Sequence, residues 1–304
     1  MTEPQYDINY LIVLYNNEGF KKEPKVKERL MKRTIPYVPL DISLHTPEFI
    51  NTRFCSGEDH NIYNGDDECI SIVAKAALGS GKSTAAFKFI EDNPHLNLIT
   101  INTSICLNTQ HKNSLEESYG KECVFTINSD KENQGELTRF INYININYDP
   151  NLTKREYDEM EYDITPFKFD NEKRFYLSIC LNSLVKLQKY LTKDFLKQTV
   201  VFLDEFHSTI QYLYTSTTLK GYRIAVLRPF KFILNNCNRF LACDGNITEI
   251  EIEFLNSMNL NYKFIINTYE PFKDIPFYML EWNEFKKKLY NLLIMVKLFV
   301  FQVT

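Results

Sequence analysis

The fold of this chain is decided by the stretch Ala76-Ala77-Leu78-Gly79-Ser80-Gly81-Lys82-Ser83-Thr84. It follows an apolar run at 70–74, so we expect a loop that leaves a buried strand and enters a helix. Glycine at 79 and 81 lets the backbone approach an anion closely, because no side chain stands in the way. The start of the helix adds free amide groups and the positive end of its dipole. The loop is therefore suited to a phosphate chain.

The residues of this loop can be given individual roles. Lys82 is predicted to reach the β- and γ-phosphates of ATP, and the hydroxyl of Ser83 to bind Mg²⁺. The residues expected around the phosphates are Ala77, Leu78, Gly79, Ser80, Gly81, Lys82, Ser83 and Thr84. The alternative is a Gly/Ser turn that happens to precede a lysine, which is a rare coincidence in a chain with only 9 glycines in 304 residues.

The composition is that of an ordinary globular chain. Hydrophobic residues make up 44% and charged residues 24% of the sequence, which is ample material for buried cores. The formal net charge is −4, so the chain as a whole has no positive field that would indicate nucleic-acid binding. Any contact with nucleic acid must therefore be local.

The cysteines and the termini indicate the compartment. Seven scattered cysteines without a Cys-x-x-Cys pair favour reduced, buried thiols and hence an intracellular location. Residues 1–9 are polar, so no signal peptide is expected there. The apolar stretch 289–303 is too short to span a bilayer and is interrupted by Lys297, so no membrane association is expected.

Strands and helices alternate along the chain from residue 69 onward. Apolar runs that predict strands lie at 69–74, 96–102, 123–127, 175–180, 199–203, 239–243 and 263–267. The segments that predict helices lie at 82–91, 103–120, 135–146 and 183–191. Such alternation predicts an α/β fold with a parallel sheet covered by helices on both faces. Residues 34–68 are expected to be loop-rich, 129–173 a polar insertion, and the basic run 21–33 a solvated charged helix or a DNA-contacting arm.

Two adjacent acids end one of the predicted strands. The run 199–203 continues into Asp204-Glu205-Phe206-His207, and the carboxyl ends of parallel strands border the crevice where α/β sheets bind ligands. Asp204 is placed to hold Mg²⁺ and Glu205 to polarise the attacking water. Alone, acids after an apolar run are as often helix caps or surface residues. The P-loop upstream favours a catalytic set of Lys82, Asp204 and Glu205, with Ser83 and Asp204 at the metal.

The order of three motifs points to a family. Ala-x-x-Gly-Ser-Gly-Lys-Ser, then Asp-Glu-Phe-His, then Ala-Cys-Asp-Gly at 242–245 resembles the first motor lobe of superfamily 2 helicases, a RecA-like P-loop NTPase lobe. Helicases often open the loop with alanine, as Ala76 does here. More narrowly, the chain is similar to the viral and plasmid replication origin-binding helicases of the herpesvirus type. This resemblance spans roughly residues 45–280.

The resemblance implies further roles. Segments 103–107 and 176–184 are similar to those with which that family contacts single-stranded DNA, which implies contacts through Thr103, Ser104, Asn182 and Ser183. His207 would link ATP to the rest of the motor, and Asp244 would sense the γ-phosphate. The alternatives are a surface histidine at a helix start and a strand-to-helix turn in which Asp and Gly supply the geometry.

The implied function is that of an ATP-binding motor lobe of a DNA helicase or replication origin-binding protein. Residues 1–44 would be an N-terminal extension, 45–280 the lobe, and 281–304 the start of a truncated second lobe. Because the sequence has no Gln-x-x-Gly-Arg-x-x-Arg-like segment, the chain is expected to be a fragment, the product of a degraded gene or one subunit of a split motor. In the last case a second RecA-like lobe on another chain would complete the motor. The alternatives are a non-translocating ATP-binding switch or scaffold and, less favoured, a small-molecule kinase.

Overall fold

The computed structural model of the protein describes residues 38–52, 71–128, 134–146 and 168–270. The basic run 21–33, most of the polar insertion and the second-lobe segment 281–304 lie outside these ranges. The chain divides into two units, 1–269 and 270–304, and every element named below belongs to the first.

The described strands form one sheet in which every neighbouring pair is parallel. Its strands are β1 Glu48–Ile50, β2 Ser71–Ala76, β3 Asn97–Asn102, β4 Val124–Ile127, β5 Tyr176–Cys180, β6 Thr199–Asp204, β7 Arg239–Asp244 and β8 Tyr262–Asn267. Their order in space is β1-β8-β2-β7-β6-β3-β5-β4. The predicted class, an α/β RecA-like lobe built on a parallel sheet, is confirmed by this topology.

Helices cover both faces of the sheet. They are α1 Lys82–Asp92, α2 Ile105–Tyr119, α3 Gln134–Ile144, α4 Lys193–Lys197, α5 Phe206–Thr215, α6 Arg223–Asn236 and α7 Glu249–Asn256. Successive side chains of a strand point to opposite faces, so Val200 and Phe202 pack with α1 and α2, whereas Val201 and Leu203 pack with α3 and α5 to α7. Strands buried on both sides explain why the predicted strands read as continuous apolar runs.

Two segments differ from the sequence-based expectation. The helix predicted at 183–191 is wrong: the chain forms a 3₁₀-helix over Leu181–Lys186 instead. Its buried Leu181, Leu184 and Leu187 are three residues apart, a spacing that stacks side chains on one edge of a 3₁₀-helix. Strand β1 lies in the expected loop-rich lead-in. Two of its three residues are exposed and the third is partly buried, so no apolar alternation marks the strand in the sequence.

The parallel direction brings the motifs to one edge of the sheet. Strands β2, β3, β5, β6 and β7 all end there, and the register pairs Lys75 with Asp244 and Asp204 with Cys243. Within the described ranges, none of the helices combines the length and the apolar character needed to cross a bilayer.

Candidate nucleotide site

The loop between β2 and α1 has the backbone of a phosphate-binding loop. Gly79 and Gly81 have φ angles of 77° and 88°, the left-handed region that glycine adopts without strain. Gly81 is the N-cap of α1 and makes no side-chain cap hydrogen bond, so the first amides of the helix depend on other acceptors. Phosphate oxygens at a helix N-terminus are such acceptors.

Two further side chains of the loop fit a polar occupant. The hydroxyl of Ser80 is buried and has no hydrogen-bond partner among the described residues. The ammonium of Lys82 donates to the carbonyl oxygens of Ala76 at 3.0 Å and Ala77 at 2.9 Å. A lysine held at the loop in this way can exchange neutral carbonyls for phosphate oxygens, with which it forms stronger, charge-assisted hydrogen bonds.

The loop meets the acidic end of β6 through one short hydrogen bond. The hydroxyl of Ser83 donates to Oδ2 of Asp204 at 2.6 Å, across 121 residues of sequence. A hydroxyl and a carboxylate are the hard oxygen ligands that Mg²⁺ takes, together with water and substrate phosphates. Within the described part of the chain no group of three or more His, Cys, Asp or Glu side chains forms a metal cage. The donor set thus fits Mg²⁺ bound mainly by a nucleotide.

Asp204 is held as a carboxylate despite its burial. Nε2 of His111 lies 3.3 Å from Oδ2, and the backbone N–H of Glu205 donates to Oδ1 at 3.2 Å. Burial raises the pKa of Asp204, but hydrogen bonds from His111 and Ser83 and the charges of His111 and Lys82 outweigh it, so the pKa lies below the ordinary value. Asp204 is therefore ionised at neutral pH, as a metal ligand must be.

His111 is a site residue that the motifs did not identify. It is buried on the inner face of α2, where its ring packs edge-on against Phe87 and tilted against Phe202. The signal was present in the sequence: Asn108, His111 and Leu115 follow the spacing of a buried helix face, and two of the three are polar.

Glu205 is positioned by an unusual backbone conformation. Its φ of 57° and ψ of 53° place a non-glycine residue in the left-handed region at the N-cap of α5. The partial loss of hydration raises the pKa of its carboxyl, and the negative charges of Asp204 and Asp244 add to this effect. A carboxylate with a raised pKa is a better proton acceptor near neutral pH, which suits a general base.

His207 and Asp244, the two residues assigned to coupling, are in direct contact. The backbone N–H of His207 donates to Oδ2 of Asp244 at 3.0 Å, and Oδ1 accepts from the N–H of Asn246 at 2.8 Å. The ring of His207 pairs through Nδ1 with Oε1 of the fully buried Glu251 at 3.1 Å. Glu251 was missed, although Thr248-x-x-Glu251 is a capping-box pattern that marks the start of α7.

The residues predicted to contact nucleic acid also lie at this edge, with different accessibility. Thr103 and the exposed Ser104 follow β3, and the hydroxyl of Ser104 accepts from the N–H of Leu107 as the cap of α2. Asn182 is half-buried in the 3₁₀-helix after β5, whereas Ser183 is 1% exposed. Because β3 and β5 are neighbouring strands, the residues that follow them lie at the same part of the sheet edge. Ser104 and Asn182 reach the surface there, and the hydroxyl of Ser183 does not.

The comparisons with known proteins reveal weak likeness in fold. No protein-family profile matches the chain, and no curated protein sequence matches it. A hypothetical ATP-dependent RNA helicase from Sulfolobus tokodaii is similar with 14% identity and a TM-score of 0.42, over 65% of this chain and 48% of that one. Mss116p, bound to ssRNA and AMP-PNP, is similar with 11% identity and a TM-score of 0.41, over 67% and 37%. The UvsW helicase from bacteriophage T4 has 11% identity and a TM-score of 0.38, over 85% and 77%.

The chain therefore spans about half, or less, of the first two structures it matches.

Proposed function

We propose that this chain is the ATP-binding motor lobe of a helicase that hydrolyses Mg·ATP and couples the hydrolysis to remodelling of single-stranded DNA. The observation that carries the proposal is the 2.6 Å contact between Ser83 and Asp204. It joins the phosphate loop to the acidic strand end, so that phosphate binding, metal binding and base catalysis share one location. A loop or an acidic pair alone would not favour this function.

The residues divide the work of hydrolysis. Lys82 and the first amides of α1 would bind and orient the phosphates, while Ser83 and Asp204 would hold Mg²⁺, which would neutralise phosphate charge. Glu205 accepts a proton from the attacking water, and its raised pKa suits that step. Positioning and charge neutralisation supply most of the rate in phosphoryl transfer, and an arginine finger supplies a further part. We propose that a second RecA-like lobe on another chain contributes this arginine.

The contact between His207 and Asp244 supports a role in transmission. It joins the start of α5, next to Glu205, to the end of β7, and the pairing of His207 with Glu251 extends it to α7. A displacement at Glu205 would therefore be transmitted to two further elements. We propose that this connection reports the state of the γ-phosphate to the lobe.

DNA would contact the ends of β3 and β5 through Ser104 and Asn182, which are accessible, and through Thr103. Side-chain hydroxyls and amides bind phosphates without net positive charge, so affinity should be weak and sequence-tolerant. The resemblance of segments 103–107 and 176–184 to the DNA-contacting segments of origin-binding helicases supports a narrower proposal, a role in intracellular DNA replication at an origin. The lobe would extend over residues 45–280.

ATP turnover with and without a single-stranded oligodeoxynucleotide tests the proposed function. We expect stimulation by the oligonucleotide, and we expect Glu205→Gln to bind ATP without hydrolysing it. Glu117→Gln, which changes an exposed acid on α2, is the matched control and should behave like the wild type. ATP binding without any response to single strands would instead support the switch or scaffold, and transfer of phosphate to a small molecule would support the kinase.

A further inference from the structure

A row of buried polar side chains crosses four neighbouring strands beside the candidate site. Asp204 on β6, Asn102 on β3, Cys180 on β5 and Asn128 after β4 all project toward α2, and the register pairs Asn102 with Cys180. All four are less than 9% exposed. Thr100, Thr126 and Ser178 lie next to this row on the same face, whose other buried side chains are apolar, so a polar group of this size needs a physical explanation.

Hydrogen bonds through α2 connect Asp204 to the other members of this row. Nε2 of His111 lies 3.3 Å from Oδ2 of Asp204, and Nδ1 of the same ring lies 3.2 Å from Nδ2 of Asn102. Nδ2 of Asn102 also donates to Oδ1 of Asn108 at 2.9 Å. His111 thus contacts the candidate metal ligand with one ring nitrogen and the polar row with the other.

The same connection continues to the 3₁₀-helix that carries Asn182. Asn108 donates through Nδ2 to Oδ1 of Asn128 at 2.6 Å, and Ser178 donates to Oδ1 of Asn108 at 2.6 Å. The ammonium of Lys186, at the end of Leu181–Lys186, donates to the carbonyl oxygen of Asn128 at 2.7 Å. An unbroken series of contacts therefore runs from the nucleotide site to the DNA-contacting edge.

The network has two possible arrangements. Oδ1 of Asn102 is buried without a hydrogen-bond partner among the described residues, while its Nδ2 faces several polar atoms. Rotation of the amide would exchange the two atoms. His111 would then have to donate from Nδ1 rather than accept there, and the amide of Asn108 would have to rotate as well, because its Oδ1 accepts from Nδ2 of Asn102. The ring of His111 contacts both Asn102 and Asp204. A change in what Asp204 binds would therefore favour one arrangement of the network over the other.

We propose that Asn102, Asn108 and His111 are positioning residues that couple the nucleotide site to the DNA-contacting segment 181–186. This inference rests on the proposed function and identifies a route separate from that through His207 and Asp244. If Asp204 ligated Mg·ATP, its present contacts with Ser83 and His111 at Oδ2 would be weakened or lost. A shift of His111 would then displace Asn102, Asn108 and Asn128. Because Lys186 donates to the carbonyl oxygen of Asn128, the 3₁₀-helix Leu181–Lys186 would shift with them.

The coupling is measured as the ratio of two dissociation constants of the full chain. One is the constant for a fluorescent oligodeoxynucleotide with saturating Mg·AMP-PNP, and the other is the constant without it. Coupling between two sites in proteins is typically about 5- to 150-fold, and it is reciprocal. Asn108→Leu should bring this ratio close to one, while each ligand alone binds within about threefold of the wild type.

Thr126→Val is the matched control. Thr126 lies on the same sheet face and is 5% exposed, and its hydroxyl has no partner in the described part of the chain. The coupling ratio of this variant should equal that of the wild type. Asn108→Ser, which keeps a polar side chain too short to reach Asn128, replaces Asn108→Leu if the latter fails to fold.

Hydrogen exchange of the unaltered chain provides a measurement that needs no variant. Mg·AMP-PNP should change the exchange of the peptide 181–187 as well as that of the loop 77–84. An unchanged 181–187 peptide, or a folded Asn108 variant with wild-type coupling, would overturn the inference and leave the proposed function intact. A wild-type chain that binds neither nucleotide nor oligonucleotide would overturn both.

Discussion

The backbone N–H of His207 donates to the carboxylate of Asp244 at 3.0 Å, so the first turn of α5 is attached directly to the end of β7. The same carboxylate accepts from the N–H of Asn246, and each of its oxygens therefore holds a different segment. A carboxylate can accept at both oxygens, whereas an amide can accept only at one.

Asp244→Asn should therefore lose one of these two hydrogen bonds. We expect a loss of about 0.5–1.5 kcal/mol in unfolding free energy, since a partly buried N–H loses its partner. The affinity for ATP should change little, while stimulation of hydrolysis by single strands should weaken. Chemical denaturation and steady-state ATPase assays measure the two effects. The control is Asp194→Asn, which should change neither, because the side chain of Asp194 is 80% exposed.

Lys82→Ala should weaken nucleotide binding and leave the fold intact. The ammonium contacts only neutral carbonyls of its own loop among the described residues, so folding loses little. A charge-assisted contact to phosphate is worth about 1.5–3 kcal/mol, or roughly ten- to hundredfold in affinity. Calorimetric titration with Mg·ATP gives the number. Lys88→Ala changes an exposed lysine of the same helix and should bind normally; unchanged affinity in Lys82→Ala would exclude the phosphate assignment.

The pH dependence of hydrolysis should reveal Glu205. The base acts as a carboxylate, so kcat/KM falls as the pH falls through its pKa. Because that pKa is raised above the ordinary value of 4.5, the acid limb should lie above that of an unperturbed glutamate. Measurements of kcat/KM for ATP hydrolysis over a series of pH values locate the acid limb of this profile. Glu205→Gln should bind Mg·ATP with little turnover at any pH, and a variant with wild-type turnover would show that Glu205 is not the base.

The stability of the chain should depend on Asp204 at acid pH. Its folded pKa is lowered, so its contribution is present above the unfolded value of 3.8 and is lost as the pH falls through the folded pKa. Unfolding free energies of the wild type and of Asp204→Asn should therefore converge in that range. Urea denaturation at a series of pH values measures both. A constant difference between the two proteins down to the lowest pH would contradict the lowered pKa.

The sequence predicted the features that depend on neighbours along the chain. Gly79, Gly81 and Lys82 define the loop by their spacing, and the apolar run before Asp204 defines the strand end. Both faces of the sheet are buried, so the strands appear as continuous apolar runs and their parallel order could be inferred. The structure places Ser83 against Asp204, as expected if both bind one metal ion.

The features that escaped depend on pairing across the sheet. His111 and Asn108 are ordinary polar residues of a helix until β3, β5 and β6 are placed beside them. Glu251 similarly gains its partner His207 only through the packing of α7 against α5. The helix predicted at 183–191 is wrong because Leu184, Leu187 and Leu191 also have the three- and four-residue spacing of one face of an α-helix.

The left-handed backbone of Glu205 has a consequence for how this position changes over generations. A non-glycine residue in that region costs roughly 1–2 kcal/mol, and glycine would avoid this cost at about 0.5–1 kcal/mol of added chain entropy. Folding alone is thus indifferent to Glu205, or slightly favours its loss, whereas the buried Val201 and Leu203 just before it are needed for the core. In relatives that no longer required ATP turnover, Glu205 would be replaced by other residues, while the apolar residues of β6 would be retained. The identity of this one residue in relatives would therefore distinguish working motors from lobes that only bind ATP.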